Sequence, residues 1–213
     1  KDMSKHTDIT IILDRSGSMD LIKLATIDGF NSFIKEHQTI SSTVKLTLVQ
    51  FDHVYEIVYQ NKDIKKVDYL NKRSFTPRGT TALFDAIGKT IDNKKKHFKM
   101  LDASKRPKNI IIAIITDGFE NASQLYSRND IFKKIDKRTK KDNWTFVFIG
   151  ANQDAIVEGV KFGFSKERCL SMKASRLGVN HAFNSFAKES KRMIARDKYM
   201  AKFSKSDREK QRD

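Results

Sequence analysis

A three-layer α/β fold, with helices on both faces of a doubly wound, mostly parallel sheet of about six strands, is what this sequence predicts. Three observations carry the prediction. The runs Ile9-Thr10-Ile11-Ile12-Leu13 and Ile110-Ile111-Ile112-Ala113-Ile114-Ile115 are apolar throughout rather than alternating, which suits strands covered on both faces. Strand-like and helix-like segments then alternate along the chain, as crossover connections between parallel strands require. Each apolar run also ends in a carboxylate followed by turn residues, Asp14-Arg15-Ser16-Gly17-Ser18 and Asp117-Gly118.

The first strand spans 8–14. A helix over 21–37 follows from Leu21, Leu24, Ile27, Phe30 and Ile34 recurring at helical spacing. Val44, Leu46, Leu48 and Phe51 mark the second strand, and the pattern resumes at 54–59 after Asp52-His53. That tight hairpin makes the third strand an antiparallel edge. Thr76-Pro77-Arg78-Gly79-Thr80-Thr81-Ala82-Leu83 is a punctuated loop leading into a helix over 82–99. A central strand is expected at 109–116, a helix at 129–140, a strand at 144–150, a short helix at 154–162 and a weak last strand within 167–172. One long polar helix over 177–203 closes the pattern, with Val179, Phe183, Phe186, Met193 or Ile194, Met200 and Phe203 along one side. Its first half is expected to pack on the domain. Its second half, interrupted by Arg192, Arg196, Lys198 and Lys202, is expected to project, and 204–213 to be frayed or disordered. The organisation expected is an extension at 1–6, a domain at 7–176 and a basic C-terminal helix and tail at 177–213.

A chain of 213 residues can build one core without staples, and its single cysteine, Cys169, has no internal partner. The five histidines show no metal-binding spacing, and His53 and His181 read as structural or solvated. No apolar stretch reaches the roughly 18 residues of a membrane span. A cytoplasmic protein with no membrane partner is expected, although the opening Lys1-Asp2-Met3 leaves room for residues upstream. The net charge of +16 puts polyanions among the candidate partners.

Ligands of open α/β sheets sit beyond the carboxyl ends of the strands. Asp14, Ser16 and Ser18 leave the first strand there, Gly17 lets their loop fold back tightly, and Asp117 holds the matching position on the central strand. The hydroxyls of the 76–83 loop can reach the same point. Hard oxygen donors of this kind suit Mg²⁺ or Mn²⁺ rather than zinc. The plain alternative is that Asp14 and Ser16 cap a helix and Asp117-Gly118 is an ordinary turn. Asp20 and Asp85 read as first-turn helix acids, and Asp52 as a peripheral hydrogen-bonding group.

The combination Asp14-x-Ser16-x-Ser18, Pro77-x-Gly79-x-Thr81-x-Leu83 and Thr116-Asp117-Gly118 resembles the von Willebrand factor A (vWA) family and its metal-ion-dependent adhesion site (MIDAS). The likeness covers roughly 7–173 and is strongest to small stand-alone bacterial and phage members, including those associated with tellurite resistance. It implies Ser16, Ser18 and Thr81 as hydroxyl ligands and Asp14 and Asp117 as carboxylates binding directly or through water. Where the family usually has Gly-Gly-Thr, this chain has Gly79-Thr80-Thr81, so Thr80 is a rival. The resemblance further implies a Rossmann-like fold and an ion completed by an Asp or Glu of a partner protein, sometimes in an assembly with an AAA+ ATPase or a kinase. Arg15, Met19, Arg78 and Glu120 are candidate partner contacts.

Enzymatic motifs are missing. There is no phosphate loop, no dinucleotide fingerprint and no nucleophile elbow, and Ser16 stands where an aspartyl-phosphate enzyme needs a second carboxylate. Metal-assisted hydrolysis is the enzymatic chemistry the residues leave open. The leading expectation is a non-enzymatic, metal-dependent protein-binding module. The alternative is a basic accessory protein that binds nucleic acid or another polyanion, with a structural metal site. Its cations would be Lys94, Lys95, Lys96, Lys99, Lys105, Arg106 and Lys108, with Lys133, Lys134, Lys137, Arg138, Lys140 and Lys141, at the pole opposite the metal.

Overall fold

The computed structural model describes residues 6–151, 154–195 and 202–211. Its strands are β1 (Thr7–Asp14), β2 (Val44–Phe51), β3 (Tyr55–Asp63), β4 (Asn109–Thr116), β5 (Thr145–Gly150) and β6 (Cys169–Ser171). They form one sheet in the order β3-β2-β1-β4-β5-β6. All neighbours run parallel except β2 and β3, so the expected mixed sheet with one antiparallel edge strand is what forms.

Helices cover both faces. Ile9, Ile11 and Leu13 of β1 point into an apolar cluster with Phe30 and Phe33 of α1 (Lys23–Gln38) and Phe183 and Phe186 of α5 (Arg176–Ala195). Ile12, from the opposite face, joins a second cluster under α2 (Leu83–Met100), α3 (Arg128–Asp142) and α4 (Ala155–Lys161). Residues two apart share a face of a strand. β1 and β4 can therefore be apolar throughout, each buried side chain adding about 1.5–3 kcal/mol of transfer free energy.

Three expectations need correction. Residues Gly17–Ile22 form a 3₁₀ turn rather than the start of an α-helix. The tighter winding buries Met19 and Ile22 and turns Leu21 outward, 91% exposed, and Leu24 in the first turn of α1 is 55% exposed. The C-terminal segment also departs from one projecting helix. α5 buries Val179, Phe183, Phe186 and Met193 in the same cluster as β1, residues 202–204 are non-helical, and a short α6 (Lys205–Glu209) follows. Phe203 is buried, Ser204 and Asp207 form a reciprocal capping box, and Ser185 donates to Asp207 at 2.9 Å. Residues 202–211 are thus ordered against the domain; Arg196, Lys198 and Met200 lie outside the described residues. The third correction is Lys94, which is 5% exposed and so does not belong to a solvent-facing basic patch. Its ammonium donates to both Asp8 carboxylate oxygens at 2.8 and 2.9 Å, and to Thr47 and Asn61.

Among the described residues, no helix is long and apolar enough to cross a membrane.

Candidate metal centre

Parallel pairing of β1 with β4 sets Leu13 beside Ile115, so Asp14 emerges next to Thr116. Asp14 is fully buried. One of its carboxylate oxygens accepts the Thr116 hydroxyl at 2.6 Å and the other accepts the Ser16 backbone N–H at 2.6 Å. The 3₁₀ turn then presents Ser18, whose Oγ lies 3.3 Å from the Ser16 Oγ and donates to Asp117 Oδ1 at 2.6 Å.

The middle loop is pinned from both sides. Arg78 N–H donates to Arg15 O at 2.8 Å, and Gly17 N–H to Gly79 O at 3.1 Å. It is Gly79 that adopts the left-handed backbone (φ 67°), whereas Gly17 does not, so the sharp bend lies in the middle loop rather than in the first. Thr81 is bound to Asn121 through two bonds, its own N–H to Asn121 Oδ1 at 2.8 Å and the Asn121 N–H to Thr81 O at 3.1 Å. Asn121 and Thr116 are positioning residues; the sequence set Thr116 in its Thr116-Asp117-Gly118 motif and Asn121 near the same rim without giving either a role, and the two directly flank the Asp117-Gly118-Phe119-Glu120 segment.

Gly118 shows how closely the oxygens converge. A Cβ placed there would lie 3.3 Å from Thr81 Oγ1, 3.6 Å from Ser18 Oγ and 3.8 Å from Asp14 Oδ2. Thr81 is buried and takes part in this cluster, while its rival Thr80 is exposed. The electrostatics are one-sided. Burial pushes the Asp14 carboxyl up to about 6, against the opposing hydrogen bonds of Thr116 and Ser16, with a smaller upward push from Asp117. Burial also raises the Asp117 carboxyl above its usual range. Among the described residues, neither carboxylate has a cationic partner, and no three His, Cys, Asp or Glu side chains gather as a cage. Two desolvated carboxylates and three hydroxyls that lack a counter-charge fit a small, hard cation.

The model of the von Willebrand factor type A domain matches residues 8–189. The chain belongs to this family. Solved structures agree in fold. The vWF domain of the type V pili tip protein Mfa5 from Porphyromonas gingivalis superposes with a TM-score of 0.63 at 12% identity, covering 91% of this chain and 98% of that one. The von Willebrand factor type A protein from Catenulispora acidiphila gives 0.60 at 15% identity, covering 87% of this chain and 42% of that one. Proximal thread matrix protein 1 from the mussel byssus gives 0.58 at 17% identity, covering 88% and 46%. The chain therefore spans less than half of the Catenulispora and mussel proteins. No curated protein matches it.

Within this vWA domain the residues expected to meet a partner are not equally available. Met19 is fully buried in the core cluster, which takes it off the rim. Arg15 is 7% exposed and donates from Nε to Asp52 at 3.0 Å and from Nη1 to Glu56. Asp52 also accepts Arg78 Nε at 2.9 Å and the Val54 N–H at 2.6 Å. Burial would raise its carboxyl, but the Val54 N–H and the two guanidinium groups outweigh it and hold it below the usual range. Asp52 is thus the staple that ties the first loop, the hairpin and the middle loop together. Glu120 is consumed as well: it accepts the N–H groups of Phe84, Ala122 and Ser123 and the Ser123 hydroxyl. Asp85 takes three more N–H groups, from Gln124, Leu125 and Tyr126. These carboxylates clamp the loop after β4 to the start of α2. Arg78, with its side chain 55% exposed, and Phe119, 61% exposed, lie open to solvent at the rim beside the oxygen cluster.

Proposed function

We propose that this vWA domain is a non-enzymatic binding module in which Mg²⁺ or Mn²⁺, held by Asp14, Ser16, Ser18, Thr81 and Asp117, receives an Asp or Glu side chain from a partner protein. The observation that carries the reading is a buried Asp14 and a half-buried Asp117, neither with a cationic partner among the described residues, facing three converging hydroxyls. A bound divalent ion supplies an electrophilic centre whose remaining coordination positions are open to an external oxygen. Asp14 is held by Thr116 and the Ser16 N–H, and Asp117 orients the Ser18 hydroxyl so that its lone pairs are presented to the site. Arg78 at the rim adds attraction for an incoming carboxylate. Among the described residues no histidine hydrogen-bonds the cluster, and its two carboxylates are engaged in holding Thr116, Ser16 and Ser18, which favours binding over hydrolysis.

The pilus-tip protein and the byssal matrix protein among the structural relatives are in keeping with an adhesive or scaffolding role. The setting we infer is cytoplasmic, in a larger assembly whose ATPase or kinase would be a separate chain, as in small bacterial and phage vWA proteins. Calorimetry with MgCl₂ or MnCl₂, followed by pulldown in Mg²⁺ and in EDTA, tests the reading. Wild type should bind metal and retain an acidic partner only without chelator, and Asp117→Ala should do neither. Equal metal binding by Asp117→Ala would remove the site.

A further inference from the structure

At the pole opposite the oxygen cluster, between the last turns of α2 and α3 and the start of β5, lies a cleft of about 350 Å³. That is within the range of small-ligand sites. Its floor is apolar, built on Phe98 and Trp144, which meet edge to face at 5.7 Å, with Pro107 and Ile110 beside them. Its rim is cationic, formed by the exposed side chains of Lys95, Lys99 and Arg106. Arg106 donates from Nε to the Leu101 carbonyl at 3.1 Å, which fixes the guanidinium at the mouth.

The acids nearby do not neutralise this rim. Asp142 pairs with Arg138 inside the cleft, Asp92 with Lys134, Asp102 with Lys105 and Asp136 with Lys140. Lys95, Lys99 and Arg106 are left without an acidic partner among the described residues, and exposed Lys96, Lys137 and Lys141 extend the same field along the two helices. Helix C-termini favour lysine through the dipole alone. The dipole does not account for cations converging on a recess with an aromatic floor.

We propose that this cleft and its flanks bind the backbone of single-stranded nucleic acid, independently of the metal centre. The shape decides the class. A recess rimmed by cations accepts one phosphate at a time, with the sugar or base of the same nucleotide against its apolar floor, and the flanking lysines follow the strand. A lipid surface would instead meet a flat or protruding face with apolar side chains at its centre.

The test is fluorescence anisotropy of the whole chain with a labelled single-stranded oligonucleotide in EDTA. Four phosphate contacts give a salt slope of about −3, so affinity should fall about 50-fold between about 50 and 200 mM salt. Lys95→Glu/Lys99→Glu/Arg106→Glu should weaken binding at least about tenfold at about 50 mM salt, where the phosphate contacts are strong. Lys65→Glu/Lys66→Glu/Lys72→Glu changes the net charge equally at exposed positions elsewhere and should retain most of it. Asp117→Ala should bind as wild type does. Equal losses in the two triple variants would reduce the effect to net charge and overturn the proposal. So would binding to phosphatidylserine vesicles without binding to the oligonucleotide, or undiminished binding by the cleft variant.

Discussion

Replacing Asp14 by Asn should make the metal-free protein more stable while removing its response to metal. The exchange preserves shape. The amide oxygen can accept the Ser16 N–H, and the amide N–H can donate to Thr116 Oγ1, whose own proton turns to Gly118 O, 3.2 Å away. The charge alone is lost. In the folded wild type the Asp14 carboxyl is raised from 3.8 to about 6 by burial. A raised folded-state value means that stability is fully present below about pH 4 and is lost as pH rises through about 6. Each tenfold step is 1.36 kcal/mol, so the metal-free wild type carries a penalty of roughly 3 kcal/mol at pH 7.5 that the variant lacks. For a chain of this size, that corresponds to a Tm higher by roughly 6–12 °C in EDTA. Calorimetric melts in EDTA and in excess Mg²⁺ read both halves: the ion should raise the wild-type Tm and leave Asp14→Asn unmoved. A variant less stable than wild type in EDTA, or equally stabilised by Mg²⁺, would refute the reasoning.

Thr81→Ala should cost more metal affinity by calorimetry than Thr80→Ala, since only the Thr81 hydroxyl faces Asp14 and Ser18 around Gly118. Lys94→Met should cost about 3–5 kcal/mol in urea unfolding, because it strands the buried Asp8 carboxylate, and Asp8→Asn/Lys94→Met should recover most of that loss. His37 is fully buried between Phe33 O and Ser190 Oγ, and burial holds it down to about 4 from 6.5. It therefore favours the fold above about pH 6.5, and roughly 3 kcal/mol is lost as pH falls through about 4. That slope is best read in the Asp14→Asn background, where the opposing Asp14 slope is gone; its persistence in Asp14→Asn/His37→Gln would assign it elsewhere.

Legibility in the sequence follows from where the information lies. β1 and β4 were readable because two-sided burial demands an unbroken apolar run, and the strand ends then located Asp14, Ser16, Ser18 and Asp117. The structure brings all four to one place with Thr81. What the sequence hid depends on winding and on remote partners. Leu21 and Met19 exchange sides because residues 17–22 wind as 3₁₀, a difference of phase that apolar spacing alone does not reveal. Arg15 and Glu120 look like free rim charges until Asp52 and the N–H groups at the start of α2 are in place. Lys94 sits in a lysine run, and only its meeting with Asp8, 86 positions away, takes it out of solvent. Met193 and Phe203 carried the right apolar signal, but the charges between them suggested projection, whereas both side chains are buried.

The segment 202–211 also determines how the sheet ends. β6 has only three residues, and its far side is occupied by the chain itself: the Arg208 guanidinium donates to the carbonyls of Cys169 and Lys166, and Phe203 N–H to Glu167 O. The opposite margin, β3, breaks register against β2 and carries a left-handed Asn61. A bare margin offers its unpaired amides to any extended peptide, whereas an irregular or occupied one cannot grow. Sheet extension from molecule to molecule is thus disfavoured at both margins.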